Sequence, residues 1–182
     1  MSTTINRNGF VLWTGHSELD DDTPIVGIVT GLTRKSKNSK VPGLQTYILR
    51  SHLDPVSARK RKRFDGVCGT CPHYIGGSCY VNWGQAPQNI YSCYKRGGYT
   101  QYNPDKHDNL LRGRFVRFGS GGEFTALPHA LVASLASLCG SWTGYTHTWL
   151  QRNLQPYNKP YSGYLMASCE SIARAKLAES MG

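Results

Sequence analysis

The sequence has few acidic residues and no long apolar run. Only 11 of its 182 residues are Asp or Glu, whereas 21 are Lys or Arg. Because no run reaches about 18 apolar residues, no membrane-spanning helix is expected. The first ten residues, MSTTINRNGF, lack the basic start and apolar core of a secretory signal. The sequence also lacks a Ser-His-Asp order, a phosphate-binding loop and a dinucleotide fingerprint. The absence of a signal sequence and a membrane span favours a cytoplasmic location. The absence of the three motifs means that any candidate site must be sought among other residues.

The composition is that of a folded domain. Hydrophobic residues make up 39% of the chain and charged residues 18%, which is unlike a disordered chain. The length suits one compact domain, or one domain with a small appended module. Six cysteines are present. In a reducing compartment, clustered cysteines indicate a metal site more often than disulfides.

The positive charge is concentrated in one stretch. Residues 34–63 hold ten Lys or Arg and one acid, Asp54, so this stretch carries about +9 of the formal net charge of +10. Such a cluster is typical of a surface that binds a polyanion, most often nucleic acid. An acidic protein partner is the alternative. The candidate contacts are Arg34, Lys35, Lys37, Lys40, Arg59, Lys60, Arg61, Lys62 and Arg63.

Hydrophobic patterning predicts an α/β fold. Short β-branched or aromatic runs at 9–14, 24–31 and 44–50 predict strands in residues 1–65. A short helix is expected after Asp54, with Pro55 at its first position. Residues 66–105 are rich in Gly, Pro, Tyr and Cys and form a cysteine-rich loop module, with a helical turn or two before Gly97.

Strand and helix patterns alternate over residues 106–182. Strands are expected at 113–119 and 163–168, and a strand with a loop at TGYTHTW. Leucines at helical spacing predict a helix near 127–138, and a final helix follows with Ile172, Ala173, Leu177 and Met181 facing inward. This alternation favours parallel βαβ packing. We expect the three segments to form one compact domain.

Four cysteines lie within 26 residues at the spacing C-x2-C-x7-C-x13-C. They are Cys68, Cys71, Cys79 and Cys93. A C-x2-C turn lets two thiolates approach one ion, and nearby glycines let the backbone bend around it. Four thiolates suit zinc, whereas three thiolates and an open position suit an iron–sulfur cluster. His73 is a possible replacement ligand for Cys71. Cys139 lies in an apolar helix pattern and is expected in the core, and Cys169 in the core or a loop.

Three further residues are candidates for a polar pocket. Glu123 follows the strand pattern VRFGS, and Tyr145 and His147 lie where the next strand should end. The carboxyl ends of strands line the ligand crevice in α/β folds. Tyrosines and a tryptophan are also frequent between residues 74 and 102, where they either pack the module or stack on unpaired bases.

Several blocks of the sequence resemble an uncharacterised protein family found mostly in phages. The blocks are KSKNSK, LQTYILR, DPVSA, CGTCPHYIGGSCYVNWGQAP, VRFGS, TGYTH and LMASCES, and the resemblance covers about residues 9–182. The C-x2-C-P…C-Y-V-N block is its most specific part. That family is similar to radical S-adenosylmethionine-like phage proteins with barrel-type βα units. The resemblance implies part of a barrel and the cytoplasm of an infected bacterial host, but no defined activity.

Two departures from the family pattern matter. Relatives continue beyond the last helix into a strand and a second cysteine-rich segment, so this chain resembles a truncated relative. Relatives often lack a cysteine at the position of Cys93, which implies a core of Cys68, Cys71 and Cys79. The C-x3-C-x2-C spacing of the main radical enzymes is missing, so that chemistry is not assigned.

The sequence therefore favours one function and leaves two alternatives. The leading prediction is a metal-binding protein, with zinc or an iron–sulfur cluster, whose basic surface binds nucleic acid or a complex that handles it. The first alternative is a small iron–sulfur or radical-type enzyme with its pocket near Glu123, Tyr145 and His147. The second alternative is an inhibitor or adaptor that binds an acidic host protein.

Overall fold

A seven-stranded mixed sheet forms the centre of this computed structural model, which describes residues 7–20, 22–34, 43–151 and 161–181. The strand order is β4-β1-β2-β3-β5-β6-β7. Helices lie between and after the strands, so the predicted α/β fold is confirmed. The strands are β1 (Gly9–His16), β2 (Pro24–Thr30), β3 (Leu44–Arg50), β4 (Thr100–Gln101), β5 (Phe115–Gly121), β6 (Ser141–Thr146) and β7 (Met166–Ala167).

The helices of the described chain are mostly short. A 3₁₀ helix, Phe124–Ala126, follows β5. The α-helices are α1 (Pro55–Lys60), α2 (Asp65–Cys68), α3 (Pro72–Ile75), α4 (Ala86–Lys95), α5 (Pro104–Leu111), α6 (His129–Leu138) and α7 (Ile172–Met181). Helix α1 begins as predicted, because the Asp54 side chain accepts a hydrogen bond from the Ser57 backbone N–H and Pro55 occupies the first turn.

The sheet has an antiparallel half and a parallel half. Strands β1, β2 and β3 are consecutive in the chain, and each pairs antiparallel with the next. Strands β3, β5, β6 and β7 pair parallel and follow one another across the sheet in chain order. This order is also the order of strands in the wall of a βα barrel. The predicted parallel packing of the carboxyl-terminal units is therefore confirmed.

The central strands are buried on both faces. In β2 the five residues from Ile25 to Val29 are all buried, which explains a hydrophobic run without alternation. Gly27 lies under Leu127, whose side chain would be about 3.1 Å from a Cβ at that position. The rings of Phe118 and Phe124 stack with centroids 4.4 Å apart, so the start of the 3₁₀ helix is anchored to β5.

One sheet joins the three sequence segments 1–65, 66–105 and 106–182. β4, from the cysteine-rich segment, pairs with β1, and β5 pairs with β3. The long connection from β3 to β5, residues 51–114, carries α1 to α5 and β4. This connection starts at the carboxyl end of β3 and ends at the amino end of β5, which pairs parallel with β3. The cysteine module is therefore the crossover between two neighbouring parallel strands.

The last helix is present, but its predicted inward face is wrong. Ile172 is 78% exposed, Leu177 45% and Met181 46%, and Ala173 is also exposed. No residue of α7 is buried. The preceding strand is also shorter than predicted, because only Met166 and Ala167 pair with β6. The apolar side chains of this helix are therefore not packed against the sheet.

Within the described part of the chain, none of the helices has the length and apolar character needed to cross a membrane.

Candidate metal centre

Two sets of residues predicted separately from the sequence line one pocket. Cys68, Cys71 and Cys79 come from the crossover after β3, Glu123 follows β5, and Tyr145 and His147 come from the end of β6 and the residues after it. Because parallel strands direct their carboxyl ends to one edge of the sheet, these segments meet there. The cavity has a volume of about 70 Å³, which is enough for an ion and its bound water.

Three potential ligands approach one another at the base of this pocket. The donor atoms of Cys71, Glu123 and His147 all lie within 4.8 Å of one another. Cys71 is 7% exposed and Glu123 is 5% exposed, and the His147 side chain is 18% exposed. A thiolate, a carboxylate and an imidazole are ligands that zinc and other transition metals accept. This buried Cys, Glu and His group could therefore hold a metal ion.

Glu123 orients His147 through one of its carboxylate oxygens. The backbone N–H of His147 donates to Oε1 at 3.0 Å, and Nδ1 of the same residue lies 3.0 Å from Oε1. The other oxygen, Oε2, is buried and has no hydrogen-bond partner among the described residues. A buried carboxylate oxygen without a partner costs free energy and needs an explanation. A cation bound beside it would supply the missing interaction.

Hydrogen bonds, burial and the charge of Glu123 shift the pKa values of two site residues. Hydrogen bonds to Cys71 and to Glu123 raise the pKa of His147 to about 10, against the opposing effect of burial. Burial raises the pKa of the Cys68 thiol well above its usual value, and the negative charge of Glu123 raises it further. The pocket therefore favours a cation close to Cys71 and Glu123 and disfavours an isolated negative charge on Cys68.

The C-x2-C turn is held against the segment that carries His147. Gly69, between the two cysteines, has φ = +51°, and a Cβ there would lie 2.6 Å from Gln151 Oε1 and 2.8 Å from a methyl carbon of Thr148. The amide of Gln151 also donates to the carbonyl oxygen of Leu19. Only glycine allows this backbone approach. Gly69 is thus one of the glycines near the cysteines that were predicted to let the chain bend around the site, and it also allows close contact with residues 148–151.

The end of β5 is fixed to the same cysteine turn. The backbone N–H of Glu123 donates to the carbonyl oxygen of Val67 at 2.7 Å, and Val67 directly precedes Cys68. Gly122 has φ = +84°, and a Cβ on it would lie 2.7 Å from the carbonyl oxygen of Ile48. Because no other residue fits this position, Gly122 determines where the Glu123 carboxylate lies.

Three buried threonines tie together the two segments that carry Glu123 and His147. The Thr125 and Thr148 hydroxyl oxygens lie 2.8 Å apart, and those of Thr146 and Thr148 lie 3.0 Å apart. The backbone N–H of Thr148 also donates to the Thr146 hydroxyl oxygen. All three residues are at most 5% exposed. Buried and satisfied hydroxyl chains restrict local motion, so this network fixes the separation of the two ligand-bearing loops.

The other predicted ligands occupy different positions. Cys68 and Cys79 line the pocket, but only Cys71 belongs to the close group. His73 also lines the pocket; its ring lies edge-to-face with that of His147 at 5.0 Å, and its Nδ1 is 2.9 Å from the Ser78 hydroxyl oxygen. His73 therefore lies in the wall of the pocket, and Cys71 itself belongs to the close group.

The remaining cysteines are not brought to this pocket. Cys93 lies on α4 beside Gly98, where a Cβ would be 2.6 Å from the cysteine sulfur. Cys139 directly follows α6 and is buried, as expected for a core residue. Cys169 follows β7 and is half-buried. The structure thus separates Cys93 from the other three cysteines of the motif, and its role as a ligand stays a prediction.

The pocket residue Arg117 was missed from the sequence, and two aromatic residues beside it were noted only as members of an aromatic-rich segment. Arg117 of β5 donates from Nη2 to the hydroxyl oxygen of Tyr80 at 2.7 Å, and both line the pocket with Trp83. The indole nitrogen of Trp83 is buried without a hydrogen-bond partner in the described chain. Arg117 had one signal in the sequence, because it is a cation between two apolar residues of a strand pattern, Val116 and Phe118, and both of these are buried in the structure. Tyr80 and Trp83 had no signal beyond the richness of their segment in aromatics.

Part of the predicted basic surface is described. Arg34 is exposed, and its backbone N–H donates to the side-chain oxygen of Asn8. Lys35, Lys37 and Lys40 lie outside the described residues. Arg59 is half-buried in α1, with its guanidinium carbon 5.9 Å from the centre of the Tyr74 ring. The exposed cations that follow it are Lys60, Arg61, Lys62 and Arg63.

No protein family, curated protein or solved structure shows a significant match to this chain.

Proposed function

We propose that this chain binds a metal ion in the pocket and uses it on a substrate that enters from solvent. The observation that carries this proposal is the close group of Cys71, Glu123 and His147, in which a buried carboxylate oxygen lacks a partner among the described residues. Structural zinc sites are closed by four protein ligands, whereas catalytic sites keep a position open. Here the group lies at the base of a pocket, which supports the second kind.

Zinc suits this donor set best. One thiolate, one imidazole and one carboxylate form a mixed set that a single borderline-soft ion accepts. A zinc ion with an open position lowers the pKa of bound water and polarises carbonyl or phosphoryl oxygens. In this chain Glu123 orients the His147 ring through Oε1, as carboxylates do for metal-bound histidines. A zinc ion held by Cys71, Glu123 and His147 would supply metal-assisted attack on an electrophilic substrate.

A second candidate is an iron–sulfur centre. It is favoured by one observation, which is that Cys68, Cys71 and Cys79 all line the same pocket. Three thiolates with one open position would suit such a cluster. In that case Glu123 and His147 would contact the substrate and not the metal. The two candidates differ in whether the carboxylate is needed to keep the metal.

The test is the metal content of protein purified without oxygen, for the wild type and for Glu123→Gln. Zinc is expected near one ion per chain in the wild type, and the variant is expected to lose about 10- to 100-fold in metal affinity. Glu170→Gln is the matched control, because Glu170 is an exposed acid paired with Arg174. Iron with a broad visible absorbance band, retained in Glu123→Gln, would favour the cluster. A wild type without bound metal after reconstitution would refute both candidates.

A further inference from the structure

The mouth of the pocket exposes two aromatic rings beside a cation. Tyr80 is 74% exposed and Tyr145 is 53% exposed, and both line the pocket. The Arg117 guanidinium lies 6.0 Å from the centre of the Tyr80 ring and is hydrogen-bonded to its hydroxyl. Exposed large rings around a concave site indicate a binding surface rather than core packing. Flat rings and a guanidinium plane are the groups on which planar ligands stack.

A cationic surface of four residues lies at the end of α1 and on the tight bend that follows it. Lys60, Arg61, Lys62 and Arg63 are all exposed, and none forms an ion pair with another described residue. The Arg63 backbone N–H donates to the Ala58 carbonyl oxygen and that of Lys62 to the Arg59 carbonyl oxygen. This is the helix-ending pattern that usually has glycine where Lys62 stands.

Lys62 has φ = +52° and is the one non-glycine residue with a positive φ in the described chain. The left-handed conformation costs a lysine about 1 kcal/mol relative to glycine. The chain thus keeps a cation at a position where a neutral glycine would be more stable, and the five cations of residues 59–63 remain consecutive. Strained positions of this kind occur most often at functional surfaces.

A continuous series of side-chain contacts connects the bend to the pocket. The Arg59 guanidinium faces the Tyr74 ring, whose centroid lies 5.2 Å from that of Phe64. Phe64 in turn lies 4.4 Å from Trp83, which lines the pocket. The basic bend and the pocket are therefore two parts of one packed unit at the carboxyl edge of the sheet.

We propose that this unit binds single-stranded nucleic acid, with phosphates on Lys60 to Arg63 and on Arg117 and an unpaired base stacked at the mouth on Tyr80 or Tyr145. A single strand offers both regularly spaced anions and free base faces. A duplex hides its base faces, and an acidic protein surface does not repeat an anion and an unstacked ring together at every unit of the chain. This inference names the substrate class of the proposed metal site, but the binding itself needs no metal.

The experiment is fluorescence anisotropy with labelled single-stranded DNA and RNA of about 20 nucleotides, titrated at several salt concentrations. Replacing Lys60, Arg61 and Lys62 together with Ala should weaken binding to every sequence and flatten the log–log salt slope by about 2, because each phosphate contact contributes about 0.7 on a single strand. At least one of the variants Tyr80→Ala and Tyr145→Ala should weaken binding about 5- to 100-fold with the salt slope unchanged, because stacking is not ionic. Normal binding by both variants would overturn the proposal.

The control removes the same charge elsewhere. Lys106, Arg112 and Lys176 are exposed on or beside α5 and α7, and their joint replacement with Ala should leave binding near that of the wild type. Equal losses in both triple variants would overturn the proposal, because binding would then follow net charge alone. Absence of binding to any single strand at low salt would also overturn it.

Two further outcomes separate this inference from others. If a poly-glutamate peptide competes as well as the oligonucleotide and the tyrosine variants bind normally, the partner is an acidic protein and the inference is wrong. Metal content is measured in every preparation, and the basic and tyrosine variants should keep it because none of these residues belongs to the Cys71, Glu123 and His147 group. Oligonucleotide binding by a protein that cannot take up metal would refute the proposed function and leave this inference standing.

Discussion

The pocket wall and the end of helix α6 both bury a cysteine, but in very different surroundings. Cys71 lies beside a carboxylate and an imidazole, within 4.8 Å of both. Cys139 is equally buried, at 6% exposure, and its backbone N–H only completes α6 by donating to Leu135. Burial is therefore a poor guide to the role of a cysteine. What distinguishes a candidate ligand is the presence of other donors at the same point.

The largest expected difference between the two regions is in metal content. Cys71→Ala removes a member of the close group and should reduce bound metal to a small fraction of the wild-type value. Cys139→Ala should keep the full content. Elemental analysis of both proteins after identical purification measures this. Retention of metal by Cys71→Ala would show that Cys71 is not a ligand.

A second prediction compares two glycines with positive φ. Gly122→Ala should destabilise the fold by more than about 2 kcal/mol, since the new Cβ would both strain the backbone and overlap a neighbouring carbonyl oxygen. Gly97 has φ = +69° but nothing within 4 Å of the added atom, so Gly97→Ala should cost only about 1 kcal/mol. Urea unfolding of both variants gives these free energies. Similar values would mean that the end of β5 can shift and that Gly122 does not fix Glu123.

Much of the sheet was predictable from the sequence. Strand β3 was predicted at residues 44–50 and lies at Leu44–Arg50, because a β-branched and aromatic run between turn residues has few alternatives. The beginning of α1 was predicted from Asp54 and Pro55. The final helix was also predicted, but not its exposed apolar face, because helical spacing reports which residues share a face and not what covers them.

The site was predictable in its parts and not as a whole. The cysteines were identified from their spacing, and Glu123, Tyr145 and His147 from their places at strand ends. Their meeting in one pocket depends on the path of the 64-residue connection between β3 and β5, which local patterns do not specify. The separation of Cys93 from the motif has the same origin, since α4 carries it along that path.

The third prediction concerns the outlying member of the motif. Cys93→Ser should keep its metal, because Cys93 lies on α4 beside Gly98 and does not line the pocket. Elemental analysis beside Cys71→Ser, the variant with the same chemical change, provides the comparison. Loss of metal from both variants to the same extent would require a site with Cys93 as a ligand.

The smallest expected effect is on alkaline stability. Burial raises the pKa of the Cys139 thiol from 9.0 to about 11, with Arg114 opposing the shift. A raised pKa means that the thiol contributes stability below pH 9, and that this contribution is lost as the pH rises through about 11. The free energy of unfolding in urea should therefore fall more between pH 9.0 and about 11 for the wild type than for Cys139→Ala. An identical loss in both proteins would contradict the assignment.

We propose that one metal ion is held jointly by the cysteine crossover and by the two loops that follow β5 and β6. X-ray absorption at the edge of the bound metal measures its ligands directly. We expect a mixed shell, with sulfur at about 2.3 Å and nitrogen or oxygen at about 2.0–2.2 Å for zinc, and a loss of that shell in His147→Ala. A shell of sulfur alone, unchanged in His147→Ala, would show that the cysteines bind the metal without Glu123 and His147.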